Sequence, residues 1–211
     1  RQGPYPATSA MIEVTGAPAR VAWGQALSEM LPQQVAREGS KSCFVMVSST
    51  LRHDCEEVRR AIAALGPTCV GVYEGMRPHS PRSDVLAALN MARAAHADLV
   101  VTIGGGSLTD AGKAVCLFLE HDEVKSVKDF DRYLAAPGFQ PGSFVHRGMV
   151  KQIAVPTTLS GGEHTPISGV TNEVGPRKEA FVHPLLLPVA VLLDPAVAVF
   201  TPTWLWLSTG V

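Results

Sequence analysis

The chain has 211 residues, 46% of them apolar and only 18% charged, which is enough to bury a core and too apolar to stay disordered. A formal net charge of -1, with Lys and Arg scattered rather than clustered, leaves no electrostatic footprint for nucleic acid or an anionic membrane surface. The longest apolar run, Leu185 to Leu193, is interrupted by Pro188 and falls far short of the roughly 20 residues that span a bilayer, so neither a transmembrane segment nor a signal peptide is expected.

Apolar, β-rich runs then alternate with helical patterns. Cys43 to Ser48 (CFVMVS) reads as a buried strand followed by a helix near His53 to Leu65, and Thr68 to Tyr73 (TCVGVY) as a second strand followed by a helix near Arg82 to Ala95. Asp98 to Ile103 (DLVVTI) is a third strand and leads through three glycines into a third helix. This βαβαβα order predicts a parallel sheet. Continuous rather than alternating hydrophobicity in its strands predicts cover on both faces, which is the doubly wound, Rossmann-like α/β class. Ala136 to Arg147, rich in Pro and Gly, reads as an irregular loop; Lys151 to Pro156 and Val189 to Asp194 read as further strands. The four cysteines, Cys43, Cys55, Cys69 and Cys116, show no CxxC spacing and read as small hydrophobes, which fits a reducing, cytoplasmic setting. Trp204, Leu205, Trp206 and Leu207 put two indoles and two leucines in four consecutive residues, so this stretch is expected to pack on further chain or on another molecule.

The three glycines, Gly104 to Gly106, each cost backbone entropy on ordering. A strand that ends in a glycine turn and opens a helix aims free N–H groups and the positive end of the helix dipole at one point, and that point suits a phosphate. Ser107 is placed to cap this helix, with Asp110 three residues later as a reciprocal partner. A capped helix after a tight turn needs one glycine; three at the carboxyl end of a parallel strand favour a bound phosphate. The pattern is neither G-x-G-x-x-G nor the Walker sequence.

GGGSLTDAGK (Gly104 to Lys113) and AVPTTLSGGEHTPISGVTNE (Ala154 to Glu173) resemble, in the right order, the two signatures of the iron-containing alcohol dehydrogenase superfamily. The second loop, together with YEGMRPHSP and KEAFVHPLLLPVAVLLDP, is most similar to the maleylacetate reductase branch. The resemblance runs from about Arg20 onward and implies a dinucleotide-binding domain over residues 1–200, with residues 201–211 opening an otherwise absent helical domain. It implies NADPH or NADH as cofactor. Gly104, Gly105, Gly106 and Ser107 would hold its pyrophosphate, and Asp110 would orient the turn. Thr157, Thr158 and Leu159 would border the ribose and nicotinamide, and Lys178 would reach a ribose hydroxyl. The same residues are also compatible with a Pro-Thr-Thr turn that satisfies its own backbone and with a solvated surface lysine.

Two departures from the family pattern carry consequences. Ser49 stands where relatives often place the carboxylate that binds the adenosine ribose, so NADPH is expected to bind at least as well as NADH, with Arg52 or Lys41 as partners of its 2′-phosphate. The superfamily's metal ligands lie in the helical domain, and the histidines present, His53, His79, His96, His121, His146, His164 and His183, contain no HxxxH pair; no metal is expected within this chain. His79 and His164 are candidate catalytic residues, each alternatively an ordinary polar loop residue. The resemblance implies a reductase of a small unsaturated or keto (di)carboxylate, acting as a homodimer or with a chain that carries the helical domain. A homologue that binds dinucleotide without redox turnover, or a lyase on the same fold, is compatible with the same residues.

Overall fold

A computed structural model describes residues 11–15, 19–136, 138 and 149–210. His146, and the loop assigned to Ala136–Arg147 apart from Ala136 and Gly138, lie outside these described residues. The strands are β1 (Ile12–Thr15), β2 (Arg20–Trp23), β3 (Cys43–Val47), β4 (Cys69–Tyr73), β5 (Leu99–Gly104), β6 (Lys151–Pro156), β7 (Ile167–Asn172), β8 (Arg177–Val182) and β9 (Ala190–Leu193). The helices are α1 (Leu27–Arg37), α2 (Ser49–Asp54), α3 (Glu56–Ala64), α4 (Arg82–Ala94), α5 (Gly106–Leu119), α6 (Pro195–Ala198) and α7 (Thr203–Ser208).

Seven strands form one sheet in the order β1-β2-β9-β6-β5-β3-β4. Six of them run parallel; β1 joins the β2 edge antiparallel. Every residue of β3 and β5 is buried, because successive side chains enter opposite layers. Val45, Val47, Val101 and Ile103 meet α1, α2, α3 and α6 on one face. Phe44, Met46 and Val100 meet α4, α5 and the β7–β8 hairpin on the other. The doubly wound architecture expected from the continuous apolar runs is therefore the observed one.

Three differences from the sequence reading have local causes. The helix expected from His53 to Leu65 is two helices, because the buried Cys55 adopts an extended backbone (φ -98°, ψ 109°) between them and its Sγ faces the Ala196 carbonyl at 4.0 Å. The short strands β1 and β2 extend the sheet beyond β9. β7 and β8 pair with each other as a separate antiparallel hairpin, held to α4 by the buried Arg82, which donates to Glu179, to Asp131 and to the Val127 carbonyl. None of the four cysteines is in a disulfide. No residue of α7 is buried, and Trp204 is 71% exposed. Among the described residues no helix is long and apolar enough to cross a membrane.

Helix α5 lies directly on β5 and β6. A Cβ on Gly112 would overlap the Thr102 methyl and stand 2.6 Å from Gln152 Nε2, whose amide donates to Thr102 Oγ1 (2.9 Å) and to the Thr109 carbonyl (3.1 Å). Alanine in a helix interior ordinarily stabilises by roughly 1 kcal/mol over glycine. Here the sign reverses: Gly112→Ala is expected to destabilise the fold by about 2 kcal/mol through overpacking, read as a lowered urea midpoint.

Candidate functional site

The chain winds from β3 outward to β4 and then returns past β3 to β5, so the direction of winding reverses between β3 and β5. Open parallel sheets leave a crevice outside the carboxyl ends of the strands at such a point. Both strand ends meet here: Ser48 N–H donates to the Ile103 carbonyl at 3.1 Å. The glycine turn closes β5 at this edge, and Thr157 N–H, at the end of β6, donates to the Gly104 carbonyl at 3.0 Å.

Each glycine of the turn has a separate reason. Gly104 has φ +152°, and a Cβ there would stand 2.5 Å from Leu108 Cδ1. A Cβ on Gly105 would lie 3.1 Å from Thr158 Cγ2, and one on Gly106 only 2.7 Å from Ser160 Oγ. The close approach that the sequence pattern demands is thus made in part by the chain's own Pro156–Gly161 loop, which lies across the start of α5. The N–H groups of Gly106 and Ser107 stand at the head of a 14-residue helix with no preceding intrahelical acceptor, at partly exposed positions.

Ser107 is not the cap. Gly105 occupies the N-cap without any side-chain bond, and Ser107 Oγ accepts the His79 N–H at 2.9 Å. The capping box with Asp110 does not form: Asp110 Oδ2 lies 3.3 Å from Lys178 Nζ, and its main-chain carbonyl accepts from Ser168 Oγ at 2.7 Å. The cause is the hairpin beside α5, whose β7 supplies Ser168 and whose β8 supplies Lys178. Burial pushes the Asp110 carboxyl above its ordinary value, against the pull of Lys178 and Lys113. Lys178 meets the helix carboxylate while its side chain stays exposed to solvent.

The loop that carries His79 is pinned over the first turn of α5. Ser80 Oγ donates to the Ser107 carbonyl (2.7 Å), Thr171 Oγ1 to the His79 carbonyl (2.8 Å) and Thr171 N–H to the Ser80 carbonyl (3.0 Å). His79 and Ser80 both hold positive φ, 64° and 53°, a conformation that non-glycine residues adopt at a cost. The His79 ring is exposed, as is that of His164, whose Nε2 is 3.7 Å from Glu163 Oε1. Thr157 and Thr158 are buried. Thr157 accepts from Thr201 Oγ1 at 2.8 Å, Leu159 N–H donates to Thr209 Oγ1 at 3.1 Å, and the Leu159 side chain is exposed. Ser49 is exposed at the start of α2, on the same edge. Lys41 precedes β3, and its N–H is held by Asp98 at 2.8 Å. It stands at the opposite, amino end of the sheet, too far off to meet a phosphate beside Ser49.

Sequence reasoning missed Lys113 as a structural element. It is fully buried, and its ammonium donates to the Gly162, Thr165 (2.7 Å) and Ile167 (2.8 Å) carbonyls. Burial pulls its pKa down to about 8, opposed by the Asp110 and Glu163 carboxylates. The legible signal was a lysine in a helix otherwise lined with Leu108, Ala111, Ala114 and Val115. Among the described residues no three His, Cys, Asp or Glu side chains are grouped so as to hold a metal ion. Lys113→Met is expected to cost about 3 kcal/mol, since it strands buried carbonyls and two carboxylates; urea denaturation measures the loss.

Comparison with known proteins agrees with this geometry. The pattern of the family described as "Iron-containing alcohol dehydrogenase" matches residues 18–195. Maleylacetate reductase 2 of Cupriavidus pinatubonensis is 32% identical over 178 residues, covering 84% of this chain and 40% of that protein. A maleylacetate reductase of Rhizobium sp. is 30% identical over 197 residues, covering 93% and 46%. The chain thus spans less than half the length of these two relatives. Among solved structures, the sulfoacetaldehyde reductase of Bifidobacterium kashiwanohense in complex with NAD+ has a TM-score of 0.79 at 23% identity, covering 95% of this chain and 51% of that one. The glycine turn at the reversal point, the Pro-Thr-Thr loop laid across it and a match over most of its length agree: this chain belongs to the iron-containing alcohol dehydrogenase family.

Proposed function

We propose that the chain is the dinucleotide-binding part of a cytoplasmic, nicotinamide-dependent oxidoreductase that reduces a small keto or unsaturated carboxylate. The observation that carries this reading is the pair of N–H groups at the head of α5, with no side-chain cap and no preceding intrahelical acceptor, opening at the reversal point of a parallel sheet. The names of the relatives support it: two are maleylacetate reductases, and one structural neighbour holds NAD+.

The bound cofactor supplies the hydride. The chain's residues bind and orient around that chemistry. In this reading Gly105, Gly106 and Ser107 present main-chain donors to the pyrophosphate, with the dipole of α5 behind them. Gly104 lets the strand end turn without a side chain in the crevice. Thr157, Thr158 and Leu159 border the nicotinamide end, their loop fixed from beneath by Lys113. Asp110 and Lys178 act as a pair that fixes the first turn of α5 against β7 and β8, with Lys178 exposed enough to reach a ribose hydroxyl. His79 and His164 are the exposed proton-bearing groups of the two loops that flank the turn, and either could deliver the proton that reduction consumes. The exposed apolar face of α7 is assigned to contact with the helical part typical of the family or with a second copy in a homodimer.

Gly105→Val would drive its side chain into Thr158 and over the phosphate position. NADPH binding, followed by fluorescence titration, is expected to vanish while far-UV circular dichroism is retained; undiminished affinity would overturn the assignment. Ser49→Asp places a negative charge where the 2′-phosphate of NADPH is expected. It should weaken NADPH by on the order of 1 kcal/mol and spare NADH, and an unchanged preference in the same titration would show that the ribose lies elsewhere.

A further inference from the structure

Residues 77–81, between β4 and α4, form a strap that is tied to the head of α5 through a single residue. Ser107 Oγ accepts the His79 N–H at 2.9 Å, and the Ser107 carbonyl accepts from Ser80 Oγ at 2.7 Å. A hydroxyl that accepts from an amide keeps its own proton for another acceptor. Ser107 is the second residue of α5 and partly exposed, so this proton is available beside the N–H groups that open the helix.

The strap is held from its other side by Thr171 of β7. Its Oγ1 donates to the His79 carbonyl at 2.8 Å, its N–H donates to the Ser80 carbonyl at 3.0 Å, and it bridges Pro81 in parallel register. Both carbonyls belong to residues at positive φ, and a left-handed pair of this kind persists only where its surroundings over-determine it. The left-handed turn directs the His79 N–H at α5 while its carbonyl faces β7. Arg77 fixes the entry to the turn: its N–H donates to Asp84 Oδ2 at 2.9 Å and its guanidinium lies 3.1 Å from Glu173. A glycine would adopt the same turn without strain, but at position 80 it would lack the hydroxyl that reaches Ser107.

We propose that Thr171 is a positioning residue for dinucleotide binding, acting through the His79 main chain on the Ser107 hydroxyl. Thr171 sets the His79 peptide, the His79 N–H fixes Ser107 Oγ as an acceptor, and the remaining hydroxyl proton is thereby aimed at the pyrophosphate position. Hydrogen bonds linked in this way polarise one another, so the last donor in the relay is stronger than an isolated serine. Thr171 touches no ligand; it contributes by deciding which way Ser107 donates. This assignment rests on the dinucleotide reading above and adds the β7–β8 hairpin to the parts that shape its phosphate position.

The test is a double-mutant cycle on NADPH affinity, measured by equilibrium fluorescence titration of the unmodified protein, Thr171→Val, Ser107→Ala and the double variant, with thermal melts to verify folding. Thr171→Val and Ser107→Ala are each expected to weaken NADPH about fivefold. The double variant should bind as Ser107→Ala does, because the effect of Thr171 runs through the hydroxyl already removed. Thr171→Ser keeps the donor and should bind within about twofold of the unmodified protein. Ser80→Ala, which frees the strap from the Ser107 carbonyl, replaces Thr171→Val if that variant does not fold, with the same pattern expected. Equal losses with and without the Ser107 hydroxyl, an unaltered affinity in either single variant, or a Thr171→Ser protein that binds no better than Thr171→Val overturns the relay and leaves the dinucleotide reading standing. Failure of the unmodified protein to bind NADPH overturns both.

Discussion

The ammonium of Lys113 holds the site together from behind. It sits where α5, the Pro-Thr-Thr loop and the start of β7 meet, and three main-chain carbonyls from residues 162 to 167 converge on it. A buried cation is costly unless its donors are satisfied, and here all three have acceptors, with Asp110 and Glu163 supplying opposite charge. The loop shape this fixes brings Ser160 against Gly106 and Thr158 against Gly105. The glycine turn and the loop are thereby one unit. Neither could be moved without displacing the other.

Parallel strands buried on both sides carry no alternation, and β3 and β5 stood out in the sequence as largely apolar runs for that reason. β1 and β2 did not, because four-residue strands at a sheet edge mix apolar and polar positions. The hairpin was hidden for a similar reason: Arg177, Lys178 and Glu179 open β8 with three charged residues, which read as surface chain although Glu179 is buried against Arg82. The α2–α3 break escaped notice because nothing in the residue types around Cys55 marks an extended backbone there.

At the site, the residue types announced a turn that something must approach closely, and the sheet order put that turn at the reversal of winding. What approaches was not legible. Ser160 and Thr158 are distant in sequence from Gly106 and Gly105, and only the pairing of β5 with β6 brings them together. Ser107 and Asp110 matched a capping pattern in spacing, yet Ser107 Oγ accepts from the His79 N–H and the Asp110 carboxylate meets Lys178 of β8. Local sequence describes what a side chain could do alone; competition from a third element decides what it does.

The sheet also imposes an order on its own assembly. β2 finds its place only beside β9, with Arg20 opposite Ala190, so residues near one end of the sequence complete a sheet whose last strand is near the other. During synthesis β1 and β2 can pair with each other, but they have no place in the sheet until β9 has left the ribosome. Until then β6 presents an open, apolar strand edge, the kind of surface on which unfinished chains aggregate. Pairing across so long a loop is intrinsically slow, so that edge stays open for as long as the pairing takes.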